Sequence, residues 1–170
     1  RALVDAKGIK VMTGTLCSGI FSDHWIPLIK GNRLYKLRAK SVVVATGSIE
    51  QPAVFRNNDL PGVMMASAAQ RLIRLYGVRP GHHAVILAAN DEAYGAALDL
   101  IDAGVTVAAI ADLRPNVPVT PLATAVEARG VDILAGYAIS EALYASKTRI
   151  SGADLSPIIG EGKLGVGGKS

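Results

Sequence analysis

The turn between residues 88 and 93 is the first part of this sequence with the spacing of a ligand site. A dinucleotide-binding unit carries G-x-G-x-x-G between a strand and a helix, because glycine lets the backbone approach the pyrophosphate closely. The three glycine positions are held here by Ala88, Asn90 and Ala93. Asn90 tolerates a left-handed backbone, and Ala93 is small enough to let a helix pack closely against a strand.

Two acidic residues in the same turn oppose phosphate binding. Asp91 and Glu92 fall in the first turn of the predicted helix. Carboxylates stabilise the N-terminus of an empty helix, but they repel the phosphate that would otherwise bind there. We therefore expect this turn to be structural and free of ligand, although Asn90 remains a candidate cofactor-binding residue.

Asp112 is a second candidate for cofactor binding. It ends the next predicted strand, where a dinucleotide-binding unit holds the acid that binds a ribose hydroxyl. The competing interpretation is that Asp112 only caps the end of a strand.

The segment Val42-Val43-Val44-Ala45-Thr46-Gly47 is the third candidate. Its continuous β-branched run is typical of a strand buried on both faces of a parallel sheet. Such a strand ends at the carboxyl edge, where open α/β folds bind ligands, and glycine there admits a bulky dinucleotide. The candidate cofactor-binding residues are therefore Ala45, Thr46, Gly47 and Ser48. An ordinary strand that ends in a turn is the alternative.

No side chain is assigned a catalytic or metal-binding role. Cys17 is the single cysteine, so the chain contains no internal disulfide and no C-x-x-C redox pair. The sequence has no G-x-S-x-G motif and no paired catalytic carboxylates, and none of its histidines has a second ligand at metal spacing. The acids expected to face solvent are Glu50, Asp59, Asp99 and Asp102.

The composition argues against nucleic-acid and membrane partners. The net charge is +4, but the basic residues are scattered and carry no nucleic-acid motif. Half of the residues are apolar, yet no stretch approaches the roughly 20 apolar residues that cross a bilayer. Residues 1–5 carry no visible leader, and a single cysteine suits a reducing compartment, so we expect a cytoplasmic location.

The elements that must position these residues follow from periodicity. Apolar runs separated by turns at 22–24 and 31–32 predict a β-meander that also includes Ile9–Thr13. After Gly62, a helix with the apolar face Ala69, Leu72, Ile73 and Tyr76 precedes strand, helix, strand, helix and strand. The predicted fold is therefore α/β, with a Rossmann-like doubly wound parallel sheet of the FAD/NAD(P)-binding type and an additional meander.

A short repeat suggests two related units. Gly8–Thr15 and Gly130–Tyr137 both read glycine, apolar, polar, apolar, apolar, small, glycine, and both lead into alternating strands. Residues 1–62 are thus interpreted as the C-terminal half of a first dinucleotide-binding unit. Residues 63–170 are interpreted as a second, degenerate Rossmann unit that lacks its last strand after a loop at 160–170.

Several stretches resemble a known family. Residues 41–52 resemble the "ATG" segment of flavoproteins with two dinucleotide-binding domains. Residues 55–64, 76–81 and 89–94 are more specific, and together they resemble the α subunit of heterotetrameric sarcosine oxidase. Related subunits occur in hydrogen cyanide synthase, opine oxidase and dye-linked proline dehydrogenase.

This resemblance implies an oxidoreductase subunit that acts on the CH–NH bond of a secondary amine or amino acid. In sarcosine oxidase the products are glycine, formaldehyde and hydrogen peroxide. The resemblance implies that the full-length protein holds NAD or FAD and that its partner in a hetero-oligomer is a flavin-binding β-type subunit. We expect the 170-residue piece alone to bind no cofactor and to be inactive, because half of the first pocket lies outside it.

Two other functions remain open. One is a thioredoxin-reductase-like pyridine nucleotide flavoprotein, which the missing C-x-x-C and the acidic turn disfavour. The other is a non-catalytic interaction module built on a degenerate Rossmann domain.

Overall fold

The computed structural model describes residues 8–146, 149–161 and 163–166. It divides into two compact units, residues 1–48 and residues 49–170. None of the helices in the described part of the chain has the length and apolar character needed to span a bilayer. The segment without a visible leader lies outside the described residues, as does part of the loop predicted at 160–170.

The first unit contains a three-stranded antiparallel sheet. Its strands are β1 (Leu16–Cys17), β2 (Trp25–Lys30) and β3 (Arg33–Arg38), in the order β1-β2-β3. The turn before β2 is tight because Asp23 and His24 both have a left-handed backbone, with φ of 57° and 52°. The predicted meander is therefore confirmed for these three strands.

Two predicted strands of the first unit do not form. Residues 9–13 and 42–45 have no strand hydrogen bonding, and Val43 and Val44 are 90% and 63% exposed. The predicted burial of the valine run is therefore wrong for this structure. β-branched residues favour extended backbone, but a ladder needs a neighbouring strand, and the described residues place none beside this run.

The second unit is built on a parallel sheet. Its strands are β4 (His83–Ala88), β5 (Thr106–Asp112) and β6 (Asp132–Ala135), in the order β4-β5-β6. The helices α2 (Glu92–Asp102) and α3 (Pro121–Glu127) connect them, and α1 (Ala66–Tyr76) precedes them and packs on α2. The predicted alternation of strands and helices, with parallel pairing, is confirmed.

Local signals set the ends of the helices. α3 begins after Thr120, whose hydroxyl accepts a hydrogen bond from the Ala123 N–H at 3.3 Å, and Pro121 occupies the first helical position. α1 ends at Gly77, which has a left-handed φ of 63°. The predicted inner face of α1 needs one correction, because Tyr76 is 71% exposed at the last turn.

The core of the second unit lies between the sheet and the helices. Ile110 of β5, Tyr94 and Ala97 of α2 and Val126 of α3 are all fully buried. They belong to one apolar cluster that also takes in residues of α1 and β4. The alternate residues of the strands therefore hold the helices against one face of the sheet.

An antiparallel sheet completes the second unit. It is formed by β7 (Tyr137–Ser146), β8 (Arg149–Gly160) and β9 (Lys163–Leu164), in the order β7-β8-β9. The loop around Arg56 joins this sheet, because the Arg56 N–H donates to the Ser140 carbonyl at 3.1 Å. The side chain of Asn57 also donates to Glu141 at 3.0 Å.

These contacts bear on the boundary between the units. The structure divides at Ser48/Ile49, and the bonds of residues 56 and 57 to β7 agree with their place in the second unit. The predicted boundary at 62/63 between two dinucleotide-binding units stays a prediction. The two repeats share a left-handed backbone at both of their glycines. The first glycines, Gly8 and Gly130, have φ of 89° and 77°, and the last, Gly14 and Gly136, have φ of 60° and 72°. The interpretation of the units as halves of dinucleotide-binding domains stays a prediction.

Candidate functional site

The candidate site lies at the carboxyl ends of β4 and β5 and at the start of α2. Four side chains form a connected set there, which we call the edge network: Asp91, Tyr94, Asp112 and Arg114. The parallel pairing of β4 with β5 brings Ala88 opposite Asp112, so the network lies where an open α/β sheet binds its ligand.

Asp112 is the centre of the edge network. It is fully buried, and its carboxylate accepts four hydrogen bonds. The Arg114 guanidinium donates through Nε to Oδ1 at 3.0 Å and through Nη2 to Oδ2 at 2.8 Å. The Arg114 backbone N–H donates to Oδ1 at 2.8 Å, and the Tyr94 hydroxyl donates to Oδ2. A buried carboxylate with this many donors is fully satisfied.

Arg114 also reaches the start of α2. Its Nη1 donates to Asp91 Oδ1 at 2.9 Å, and its Nη2 contacts the Tyr94 hydroxyl at 3.2 Å. The guanidinium carbon lies 5.8 Å from the centre of the Tyr94 ring, within cation–π range. One guanidinium thus bridges the end of β5 and the first turn of α2.

The charges of the edge network reinforce one another. Burial raises the pKa of Asp112, but hydrogen bonds from Arg114 and Tyr94 outweigh it and hold that pKa below its usual range. Burial and the adjacent Asp112 raise the pKa of Tyr94 to about 12. Hydrogen bonds to Asp112 and Asp91 raise the pKa of Arg114. At neutral pH Asp112 is therefore a carboxylate, Arg114 a guanidinium and Tyr94 a neutral phenol.

Asn90 plays a local part in the same turn. Its side-chain oxygen accepts a hydrogen bond from the Glu92 N–H at 3.1 Å, although the N-cap residue of α2 is Asp91. The backbone of Asn90 does not have a positive φ, so Asn90 does not adopt the left-handed conformation that asparagine tolerates. Asn90 and Asp112 thus lie at one edge, as their positions in the chain predict.

The residues present at this edge do not fit a dinucleotide. A pyrophosphate needs free N–H groups at the start of the helix, whereas the Glu92 N–H is already bonded to Asn90. A ribose needs a free acid at the end of β5, whereas every described contact of the Asp112 carboxylate is to Tyr94 or Arg114.

The other predicted site residues lie in the first unit. Thr46, Gly47 and Ser48 are exposed, as is Ala45, and the described backbone hydrogen bonds include none from residues 41–48. Their role in binding a dinucleotide stays a prediction.

Sequence reasoning missed Arg114 and Tyr94. The signal for Arg114 was its position two residues after a strand-ending acid, which allows a basic side chain to fold back on that acid. Tyr94 is spaced with Ala97, Leu98 and Ile101 as the apolar face of a helix, which predicts only a place in the core. Its hydroxyl is the missed signal, because a buried tyrosine hydroxyl needs a hydrogen-bond partner. Among the described residues, no group of three or more histidine, cysteine or acidic side chains could hold a metal ion.

Three of the four acids expected to face solvent also have polar partners, and one of them, Asp102, pairs with Arg129 at 2.9 Å. Asp99 accepts hydrogen bonds from Gln70 at 2.6 Å and from Arg74 at 2.8 Å, which ties α2 to α1. Glu50 accepts hydrogen bonds from the backbone N–H groups of Ala66 and Ser67, both at 2.8 Å. Burial raises the pKa of Glu50, but its bonds to Ser67 and Ala66 lower it overall. Glu50 is thus a remote cap for α1.

Glu50→Ala is expected to lower the free energy of unfolding by about 1 kcal/mol, because two N–H groups of the first turn of α1 lose their acceptor. The measurement is urea unfolding followed by circular dichroism. Glu127→Ala is the matched control, since Glu127 ends α3, where a carboxylate opposes the helix dipole. Equal losses for the two variants would contradict the capping role.

The fold and its ligand edge define the class of this chain: it is an α/β domain of the Rossmann type found in FAD/NAD(P)-binding proteins. The described chain superposes on thioredoxin reductase from T. acidophilum with a TM-score of 0.52 and 12% identity, over 84% of this chain and 45% of that chain. No family model matches the sequence.

The more particular similarity is to the sarcosine oxidase α subunit. The chain is 42% identical over 105 residues to that subunit from Corynebacterium sp. (strain P-1), which covers 62% of this chain and 10% of the subunit. It is 47% identical over 83 residues to the subunit from Rhizobium meliloti (strain 1021), which covers 49% of this chain and 8% of the subunit. The chain thus spans about a tenth of these relatives. The predicted resemblance is confirmed.

Proposed function

We propose that the chain is a segment of an FAD/NAD-dependent oxidoreductase subunit that oxidises the CH–NH bond of a secondary amine or amino acid. Sarcosine is the proposed substrate, with glycine, formaldehyde and hydrogen peroxide as products. The observation that carries this proposal is the 42% identity over 105 residues to the Corynebacterium sarcosine oxidase protein. A match of 38% over 69 residues to one of the subunits of opine oxidase from Agrobacterium tumefaciens supports the same reaction class.

The proposed role of this segment is to scaffold the region that surrounds the dinucleotide. In flavin and nicotinamide enzymes the cofactor carries out the redox chemistry, and the protein positions it. One observation supports a scaffolding role: the edge network satisfies its own polar groups. The proposed cofactor of the whole subunit is NAD or FAD, the proposed partner is a flavin-binding β-type subunit, and the proposed location is the cytoplasm.

A segment exchange tests this proposal. The 105-residue stretch of this chain that matches the Corynebacterium subunit replaces its counterpart there, and sarcosine-dependent formaldehyde release is measured in the assembled oxidase. We expect the chimera to keep kcat/KM within about tenfold of the parent, because a scaffold contributes no group to the transition state.

The control chimera carries the corresponding segment of the T. acidophilum thioredoxin reductase, which shares the fold at 12% identity. We expect that chimera to assemble poorly or to lose sarcosine oxidation. If the chimera with this chain assembles with its flavins and still fails to oxidise sarcosine, the proposal is wrong.

A non-catalytic interaction module is the second candidate function. The observation that favours it is the closed edge network, because a unit without a free ligand edge can persist for assembly alone. The two candidates differ in the longer gene product. A G-x-G-x-x-G turn in the hundred or so residues before Arg1 supports the enzyme subunit, and its absence supports the module.

A further inference from the structure

The β4–α2–β5 unit keeps the shape of a dinucleotide site but fills the ligand edge with its own side chain. In a unit that binds a dinucleotide, the ligand contacts two elements: the pyrophosphate contacts the start of the helix, and the ribose contacts the acid at the end of the second strand. Arg114 contacts the same two elements, through Asp91 at the start of α2 and Asp112 at the end of β5.

The charges at this edge favour the arginine over a phosphate. Asp91 and Glu92 lie at the start of α2, and Asp112 is fully buried at the end of β5. These acids attract a guanidinium and repel a pyrophosphate. The Arg114 side chain is only 25% exposed, and it pairs with carboxylates on both sides.

We propose that Arg114 is an internal substitute for the dinucleotide in this unit. The guanidinium joins the first turn of α2 to the end of β5, as the phosphate and ribose of a bound ligand would join them. The unit therefore keeps its sheet and helices in register without a nucleotide, and it does not bind one. This inference rests on the fold and the edge network, so it holds whichever substrate the whole subunit oxidises.

The first test is an NMR titration of the ¹⁵N-labelled 170-residue chain with NAD. We expect the Arg114 Nε–H, which donates to Asp112, to exchange with water at least about tenfold more slowly than the Nε–H of Arg129. Arg129 is the matched control because it pairs through Nη1 alone with Asp102, at the other end of α2, and is more exposed. We expect NAD at about 1 mM to leave the amides of Asp91 and Glu92 unshifted.

Either of two results would overturn the proposal that Arg114 takes the place of a dinucleotide. One is a saturable shift of the Asp91 and Glu92 amides on addition of NAD or ADP-ribose. The other is an Arg114 Nε–H that exchanges as fast as that of Arg129. Because the readout is confined to this edge, binding of NAD elsewhere in the chain does not disturb it, and neither does the outcome of the segment exchange.

A mutant cycle tests the bridging role without removing the positive charge. Arg114→Lys keeps the charge but loses the fork that spans two carboxylates, and Asp91→Asn removes one end of the bridge. We expect each variant to speed hydrogen exchange in the first two turns of α2 by about fivefold, and the double variant to add little, since both break the same link. Additive effects, or an equal effect from Arg129→Lys, would refute the bridge.

Discussion

Arg114→Ala is expected to lower the free energy of unfolding by about 3 kcal/mol, because it leaves the buried carboxylate of Asp112 without its counterion. Asp112 would keep the Tyr94 hydroxyl and one backbone N–H, which do not neutralise its charge. Asp91 would lose its partner at the same time. Urea unfolding at neutral pH, followed by circular dichroism, measures the effect.

Arg129→Ala is the control for the loss of an arginine from an ion pair. Arg129 also bonds an aspartate at 2.9 Å, but the side chains of Arg129 and Asp102 are 47% and 66% exposed. Exposed ion pairs contribute at most about 1 kcal/mol, so this variant should unfold close to the wild-type midpoint. If the two arginine variants are equally stable, Asp112 does not depend on Arg114 for its charge balance.

Ile110→Ala is expected to cost about 3 kcal/mol, because it opens a cavity between the parallel sheet and its helices. Ile110 is fully buried in the centre of β5, in the cluster that includes Tyr94 and Val126. The loss combines the transfer free energy of the removed carbons with the cavity left behind. The same unfolding measurement applies, with the slope of the transition compared to confirm that the folded state stays compact.

Ile49→Ala is the matched control for this truncation. Ile49 is 97% exposed, so its side chain buries almost no apolar surface, and its removal costs almost no burial free energy. We expect no measurable change in its unfolding midpoint. An Ile110→Ala variant as stable as Ile49→Ala would mean that β5 is not the centre of the core.

The parts of the fold that the sequence predicts are those whose signals are local. Thr120 followed by Pro121 predicts a helix start, and Gly77 predicts a helix end, because each acts on neighbouring residues. The parallel strands β4 and β5 are short apolar runs between helices, and their order follows from the alternation of elements. These predictions do not require a partner distant in the chain.

The predictions that failed depended on contacts that periodicity does not show. The valine run at 42–44 has strong strand propensity, yet the described residues offer no strand to pair with it. Glu50 is exposed as expected, but periodicity does not show that it caps a helix that begins sixteen residues later. The acid at position 112 was located from its place after a strand, but its partner Arg114 was not, because a side chain that folds back on a near neighbour leaves no repeating pattern.

The exposed valine run has a consequence for the handling of the molecule. The β-branched residues 42–44 favour extended backbone, and no hydrogen bond among the described residues pairs their backbone N–H and C=O groups, so they form a template on which the same segment of another molecule can pair. We therefore expect self-association through residues 42–44 to increase as protein concentration rises. A lysine in place of Val43, which is 90% exposed, places a charge on that template without disturbing a packed side chain, and so keeps concentrated samples dispersed.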